Sequence, residues 1–155
     1  VLTVIENNTI KNSRMEIIIN DSLTISEFQK AFSSEFPYLK IEFFDAPYKA
    51  EKALPKSKMY SHERKIGSIR KQHEEGRLVV TSQEKVSDIE LELWKKYGLS
   101  AQIFRRSGNV WIETSLTDSW SLEQQNREGF ELSKAHKTPF QETEENDPTD
   151  RDKWE

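Results

Sequence analysis

The chain has 155 residues, with 23 Lys and Arg against 27 Asp and Glu, 34% hydrophobic and 32% charged residues, and no cysteine. That length suits one domain with some tail left over. The missing cysteines exclude disulfides, thiolate metal sites and a Cys nucleophile, the net charge of -4 opposes non-specific binding to nucleic acid, and no apolar run approaches the roughly 20 residues of a membrane span.

Residues 1–14 are rich in Asn and Thr and are expected to be poorly ordered, with Met15, directly before the first strand, as the natural start. Strand one is expected over Glu16–Asn20. The first helix follows over Ser26–Phe36, with Ile25, Phe28, Phe32 and Phe36 at helical spacing. Ser26 and Gln29 fit a capping box, and Pro37 stops the helix. Strand two spans Tyr38–Phe44. Residues 45–57, with Pro47 and Pro55, read as a loop. A linking helix is expected over Ser61–Glu75, with His62, Ile66, Ile69 and His73 facing inward. Strand three spans Arg77–Thr81, a second helix Ser87–Tyr97 with Ser87 and Glu90 as its capping box, and strand four Leu99–Arg105. Gly98 ends that helix in a left-handed conformation. A turn at Ser107–Gly108 returns the chain as strand five, Asn109–Thr114. Ser121 and Gln124 open a short helix that Gly129 ends. From His136 the chain is acidic and polar, with the composition of a disordered tail.

The chain repeats itself. Residues 17–36 match 78–97 at an offset of 61, and after the loss of one residue 39–44 match 99–104. Each copy is a strand–helix–strand unit. Two such units suggest an α+β, ferredoxin-like sandwich over residues 15–135, one antiparallel sheet with helices on one face. The linking helix joins the units and strand five extends the sheet; a β-grasp arrangement is the alternative.

Little in the chain points to catalysis. It contains neither G-x-x-x-x-G-K-[ST] nor G-x-G-x-x-G. His62 and His73 would lie three helical turns apart, about 16 Å, too far to share a metal ion. No cofactor and no metal are expected, and the protein reads as a non-enzymatic, cytoplasmic one without membrane contact. Charge is uneven along the chain: residues 49–77 carry nine Lys and Arg against four Glu, and residues 117–155 carry five against eleven Asp and Glu. These read as a solvated basic segment and a solvated acidic tail.

The hairpin carries the best site signal. A turn at Ser107–Gly108 pairs Phe104 with Trp111 and Ile103 with Ile112. Ala101, Ile103, Val110 and Ile112 then face the helices. Phe104 and Trp111 face outward, flanked by Gln102, Glu113 and Arg106, and the repeat mate Phe44 falls on the same face with Lys40 and Glu42; Arg105, Arg106 and Lys40 are the cations expected to meet a partner. Three readings compete for this aromatic face. The segment after strand five covers it with Trp120 and Leu122 and makes it core. A protein partner or a second copy of the chain docks on it. Alternatively, its rings stack nucleobases while the cations meet phosphates. The interaction domain is the preferred function and nucleic-acid binding the alternative.

Overall fold

The structure, a computed structural model, describes residues 13–136. The expectations for residues 1–12, for the tail 137–155 and for the side chain of His136 lie outside the described residues.

Both strand–helix–strand units form. In chain order the elements are β1 (Arg14–Ile19), α1 (Ile25–Glu35), β2 (Leu39–Phe43), β3 (Gly76–Thr81), α2 (Val86–Tyr97), β4 (Ala101–Ser107), β5 (Val110–Glu113) and α3 (Leu122–His136). Arg14 opens β1 and so does not belong to the poorly ordered lead. Ile25, Phe28 and Phe32 on α1, with Phe36 just after it, and Val86, Ile89, Leu93 and Tyr97 on α2 are buried, as their spacing requires. Gly98 ends α2 at φ 68°, with its N–H on the carbonyl of Trp94.

The expected capping boxes are displaced. Thr24 caps α1: the Glu27 N–H donates to Thr24 Oγ1 (3.0 Å) and the Thr24 N–H to Glu27 Oε1 (2.9 Å). Lys85 precedes α2 without a side-chain cap. Gln29 and Glu90, four residues after Ile25 and Val86, lie on the buried stripes and reach the strands. Gln29 Nε2 donates to the Ile41 carbonyl (2.7 Å), and Glu90 Oε2 accepts the Ile103 N–H (2.9 Å).

The linking helix does not form. Residues 56–58 and 66–68 make single 3-10 turns, and the stretch between them latches onto α1. The carbonyls of Arg64 and His62 accept the Ile25 and Ser26 N–H groups (2.9 Å each). These carbonyls accept from the open first turn of another helix, and the N–H groups of Ile66 and Ser68, which a helix would aim at them, go to the carbonyls of Leu23 (2.8 Å) and Lys65 (2.9 Å). The second copy repeats the device: the carbonyls of Trp120 and Asp118 accept the N–H groups of Val86 (3.0 Å) and Ser87 (2.8 Å). Ile66 and Leu122, both fully buried, then donate backward to the carbonyls of Leu23 and Glu84. The structural repeat therefore runs through the latch, with 62–67 matching 118–123. In the second copy the matching turn continues as the fifteen residues of α3. Gly129 does not end α3. It is the point of closest approach, where an added Cβ would lie 2.8 Å from Tyr38 Cβ and 3.1 Å from the Tyr38 carbonyl oxygen.

The strands form two antiparallel sheets, β1–β3 and β2–β4–β5, in place of the single ferredoxin-like sheet. Burial gives the reason. β1 and β3 bury alternate residues and leave one face to solvent. β2 is buried at all five positions and β4 at its first four, so this ladder needs cover on both faces. The registers show a local twofold axis. Ile17 pairs with Leu78, its own mate at 61 residues, and Glu42 pairs with Gln102, its own mate at 60. Pairs on either side exchange: Met15 with Val80, and Ile19 with Gly76. One core joins both sheets and both repeated helices, with Tyr97, Phe28, Phe32, Phe36 and Phe43 its largest fully buried side chains. No helix among the described residues is long and apolar enough to cross a membrane.

Candidate functional site

The hairpin turn is Gly108–Asn109, one residue later than expected. Gly108 holds φ 66° at the first central position, where a II′-type turn needs glycine. The pairs are therefore Arg106 with Trp111, Arg105 with Ile112 and Phe104 with Glu113. Moving the turn by one shifts the pairing by two, and a shift of two returns every side chain to its original face. Trp111 thus shares a face with Phe104 but stands opposite Arg106.

Four of the six expected site residues come together there. Lys40 Nζ lies 4.9 Å from the centre of the Trp111 ring and 5.7 Å from that of Phe104, and the Arg106 guanidinium lies 5.4 Å from Trp111. Lys40 Nζ is also 3.6 Å from the fully buried Glu42, whose other oxygen is 3.1 Å from His62 Nε2. Trp111 and Arg106 are half-buried; Phe104 is 8% exposed.

The other two lie elsewhere. Arg105 is on the helix-covered face: it pairs with Leu39 and Ile112, donates to Gln125 Oε1 (2.8 Å) and stacks on Trp120 at 5.6 Å. Period-two alternation separates it from Arg106. Phe44 is buried at the far end of β2, where its N–H bonds the Ser100 carbonyl and it bridges to Met59. The antiparallel register, which pairs Phe104 with Lys40 and sets Phe44 beside Ser100, keeps the two rings at opposite ends of the β2–β4 pair.

The segment after β5 packs α3 on the helix side, against Tyr38 and Arg105. Part of the outer face is instead covered by residues 45–62. Leu54 N–H donates to Gln102 Oε1 (3.0 Å), Gln102 Nε2 reaches the Lys52 carbonyl (3.3 Å), and Tyr60 N–H bonds the Phe43 carbonyl (2.9 Å). This cover takes the centre of the ladder, at the twofold pair Glu42–Gln102. The Lys40, Phe104, Arg106 and Trp111 group stays at its edge, beside β5.

Two features escape the sequence reading. The first is a buried acid. Glu90 accepts the Tyr48 hydroxyl at 3.1 Å as well as the Ile103 N–H, and burial pushes its carboxyl up to about 8. Burial and the neighbouring Glu90 raise Tyr48 too. The signal was present: Glu90 is in phase with Val86, Leu93 and Tyr97. The second is a groove of about 800 Å³ whose lining includes Phe44, Tyr60, Trp94 and Ser100. Its signal was Trp94, an aromatic residue off the apolar stripe of α2.

His73 Nδ1 pairs with Asp21 Oδ2 at 2.8 Å, and hydrogen bonds from His73 and Arg70 hold the Asp21 carboxyl below its ordinary value. Among the described residues no three His, Asp or Glu side chains are grouped to hold a metal ion. Comparison with protein-family models, with curated proteins and with solved structures finds no match for this chain.

Proposed function

We propose that this chain is a non-enzymatic interaction domain, adaptor or regulatory in kind, that docks a protein partner or a second copy of itself at the edge of the outer sheet face. The observation that carries the reading is Trp111, half-buried on the edge strand β5 and flanked by the cations of Lys40 and Arg106. Aromatic and Arg side chains of this kind act as anchors in interfaces. An edge strand offers unpaired backbone groups to an added strand. An extended partner segment with carboxylates beside an apolar side chain would meet all three features. Nucleobase stacking is the weaker reading, because the Trp111 ring already has two cations beside it and the chain is acidic overall. A cysteine-free chain suits the cytoplasm.

The test is affinity capture with the full chain after nuclease treatment, run beside Trp111→Ala and Arg106→Ala. A protein retained by the parent chain and lost from both variants supports the reading, as does sedimentation of the parent chain alone as a dimer that Trp111→Ala makes monomeric. Recovery of RNA or DNA whose binding weakens steeply with salt would replace it with the nucleic-acid reading. Turnover of a small molecule by the purified chain would overturn both.

A further inference from the structure

The repeat gives the groove beside Phe44 a meaning. Tyr38 and Gly98 stand directly before the matched residues Leu39 and Leu99, and Arg106 matches Ala46 at the same offset of 60. Tyr38 and Arg106 line one groove, of about 390 Å³; Gly98 and Ala46 line the other, of about 800 Å³. These are one place in the fold, seen in its two copies. In the second copy α3 runs over it: Phe130, Ser133 and Lys134 of α3 form one wall, and Phe130 packs edge-on against Tyr38 at 5.6 Å. In the first copy the matching turn, Ile66–Ser68, stops after three residues; residues 69–72 then lie along the groove where the first turns of α3 lie in the other copy, with Arg70 Nη1 on the Tyr97 carbonyl (3.1 Å) and Gln72 Nε2 on the Lys96 carbonyl (2.7 Å), before the chain leaves for β3. Among the described residues, the lining of the larger groove has no counterpart of Phe130, Ser133 and Lys134, the wall that the later turns of α3 supply in the other copy.

Its lining is suited to an occupant. Trp94 is 36% exposed, one of few large apolar side chains so open, and Phe44 and Tyr60 extend the apolar floor. Lys71 and Lys95 stand at the rim, exposed and without an ion pair among the described residues. Asp45 is the acidic residue of the lining, set against Arg70, Lys71 and Lys95. Ser100 is 5% exposed, and its hydroxyl has no hydrogen-bond partner, an arrangement that folded proteins rarely leave unanswered.

We propose that this groove docks an amphipathic helix of a partner protein, with apolar residues on one face and Asp or Glu beside them. The symmetry argues for a helix, because a helix walls the matching groove in the other copy. The charge argues for an acidic one, whose carboxylates meet Lys71 and Lys95 while its apolar residues pack on Trp94, Phe44 and Tyr60. The site is separate from the Trp111 edge and stands or falls without it.

The test uses the full chain, labelled with nitrogen-15, and a synthetic helical peptide of about fifteen residues with Leu on one face and Glu on the other. The same peptide in scrambled order and one with Lys for Glu serve as comparisons. The acidic peptide should shift the amides of Gly98 and Ser100 and the Trp94 indole saturably, and the comparisons should not. Lys71→Glu together with Lys95→Glu, both exposed, should weaken the acidic peptide about tenfold and admit the basic one. Lys30→Glu, an exposed reversal on α1, should change nothing. The proposal is overturned if the groove signals stay still at millimolar peptide, or if the double reversal binds as well as the parent. It is also overturned if the same signals move on concentrating the protein alone, which would make a second copy the occupant.

Discussion

Replacing Glu90 by Gln should stabilise the protein, and by an amount that depends on pH. Glu90 is 2% exposed, and burial raises its carboxyl from an ordinary 4.5 to about 8. In the folded state it therefore keeps its proton over a range where the unfolded chain has lost it. The sign follows from linkage: where the native state binds the extra proton, stability falls as pH rises. The loss begins near 4.5, proceeds at about 1.4 kcal/mol per pH unit, and levels off near 8, for a total of roughly 5 kcal/mol. Gln keeps an oxygen for the Ile103 N–H and an amide toward the Tyr48 hydroxyl, and it never ionises. The repeat supplies a precedent, since the mate of Glu90 is Gln29, which bonds strand β2 from the same helical position. Urea denaturation of both proteins at pH 5, 7 and 8.5 measures the difference. Glu90→Gln should be nearly neutral at pH 5 and several kcal/mol more stable than the parent at pH 8.5. Parallel stability curves across that range would refute the buried, protonated carboxyl.

Three further substitutions test the local accounts. Thr24→Ala should lose about 1 kcal/mol in chemical denaturation, whereas Ser26→Ala should lose only a few tenths, because Ser26 lies inside α1, after the Thr24 cap. Gly129→Ala should destabilise by about 1–3 kcal/mol despite the better helix propensity of Ala, since the new methyl meets Tyr38; a gain in thermal midpoint would show that α3 can step away. Trp111→Ala should cost about 1–2 kcal/mol, less than the roughly 3–5 kcal/mol of a core aromatic. A larger loss by denaturation, with no partner present, would make the outer-face edge structural.

What the chain discloses on reading is what periodicity controls. The apolar stripes of α1 and α2 and the stop at Gly98 were legible because spacing and backbone freedom are local properties. The face of Trp111 was legible although its register was not, because a two-residue slip preserves sidedness. The missed parts depend on partners distant in the chain. Ser26 and Ser87 look like caps until the carbonyls of residues 62 and 118 arrive to satisfy the same N–H groups. Residues 61–75 look helical until those carbonyls are committed elsewhere. Arg105 and Arg106 look like one basic pair, yet alternation sends one under α3 and leaves the other beside Trp111. Glu90 was visible on the apolar stripe, but its role required Tyr48, which lies 42 residues away.

A strand pair in which a residue faces its own counterpart is what arises between two identical chains in a symmetric homodimer. Here the two partners are tethered in one molecule, and the tether changes what a substitution can do. Between identical chains every change is made twice, so any alteration at the Glu42–Gln102 contact would set like against like. Two buried glutamates across one axis would repel; a Glu facing a Gln does not. Joined in one chain, the halves are free to specialise: a carboxylate against an amide at that contact, a lysine in one half where the other has Ser100, and a full helix on one side against a single turn on the other. The asymmetry that leaves the larger groove in one half and a cation-flanked tryptophan in the other is closed to two identical chains.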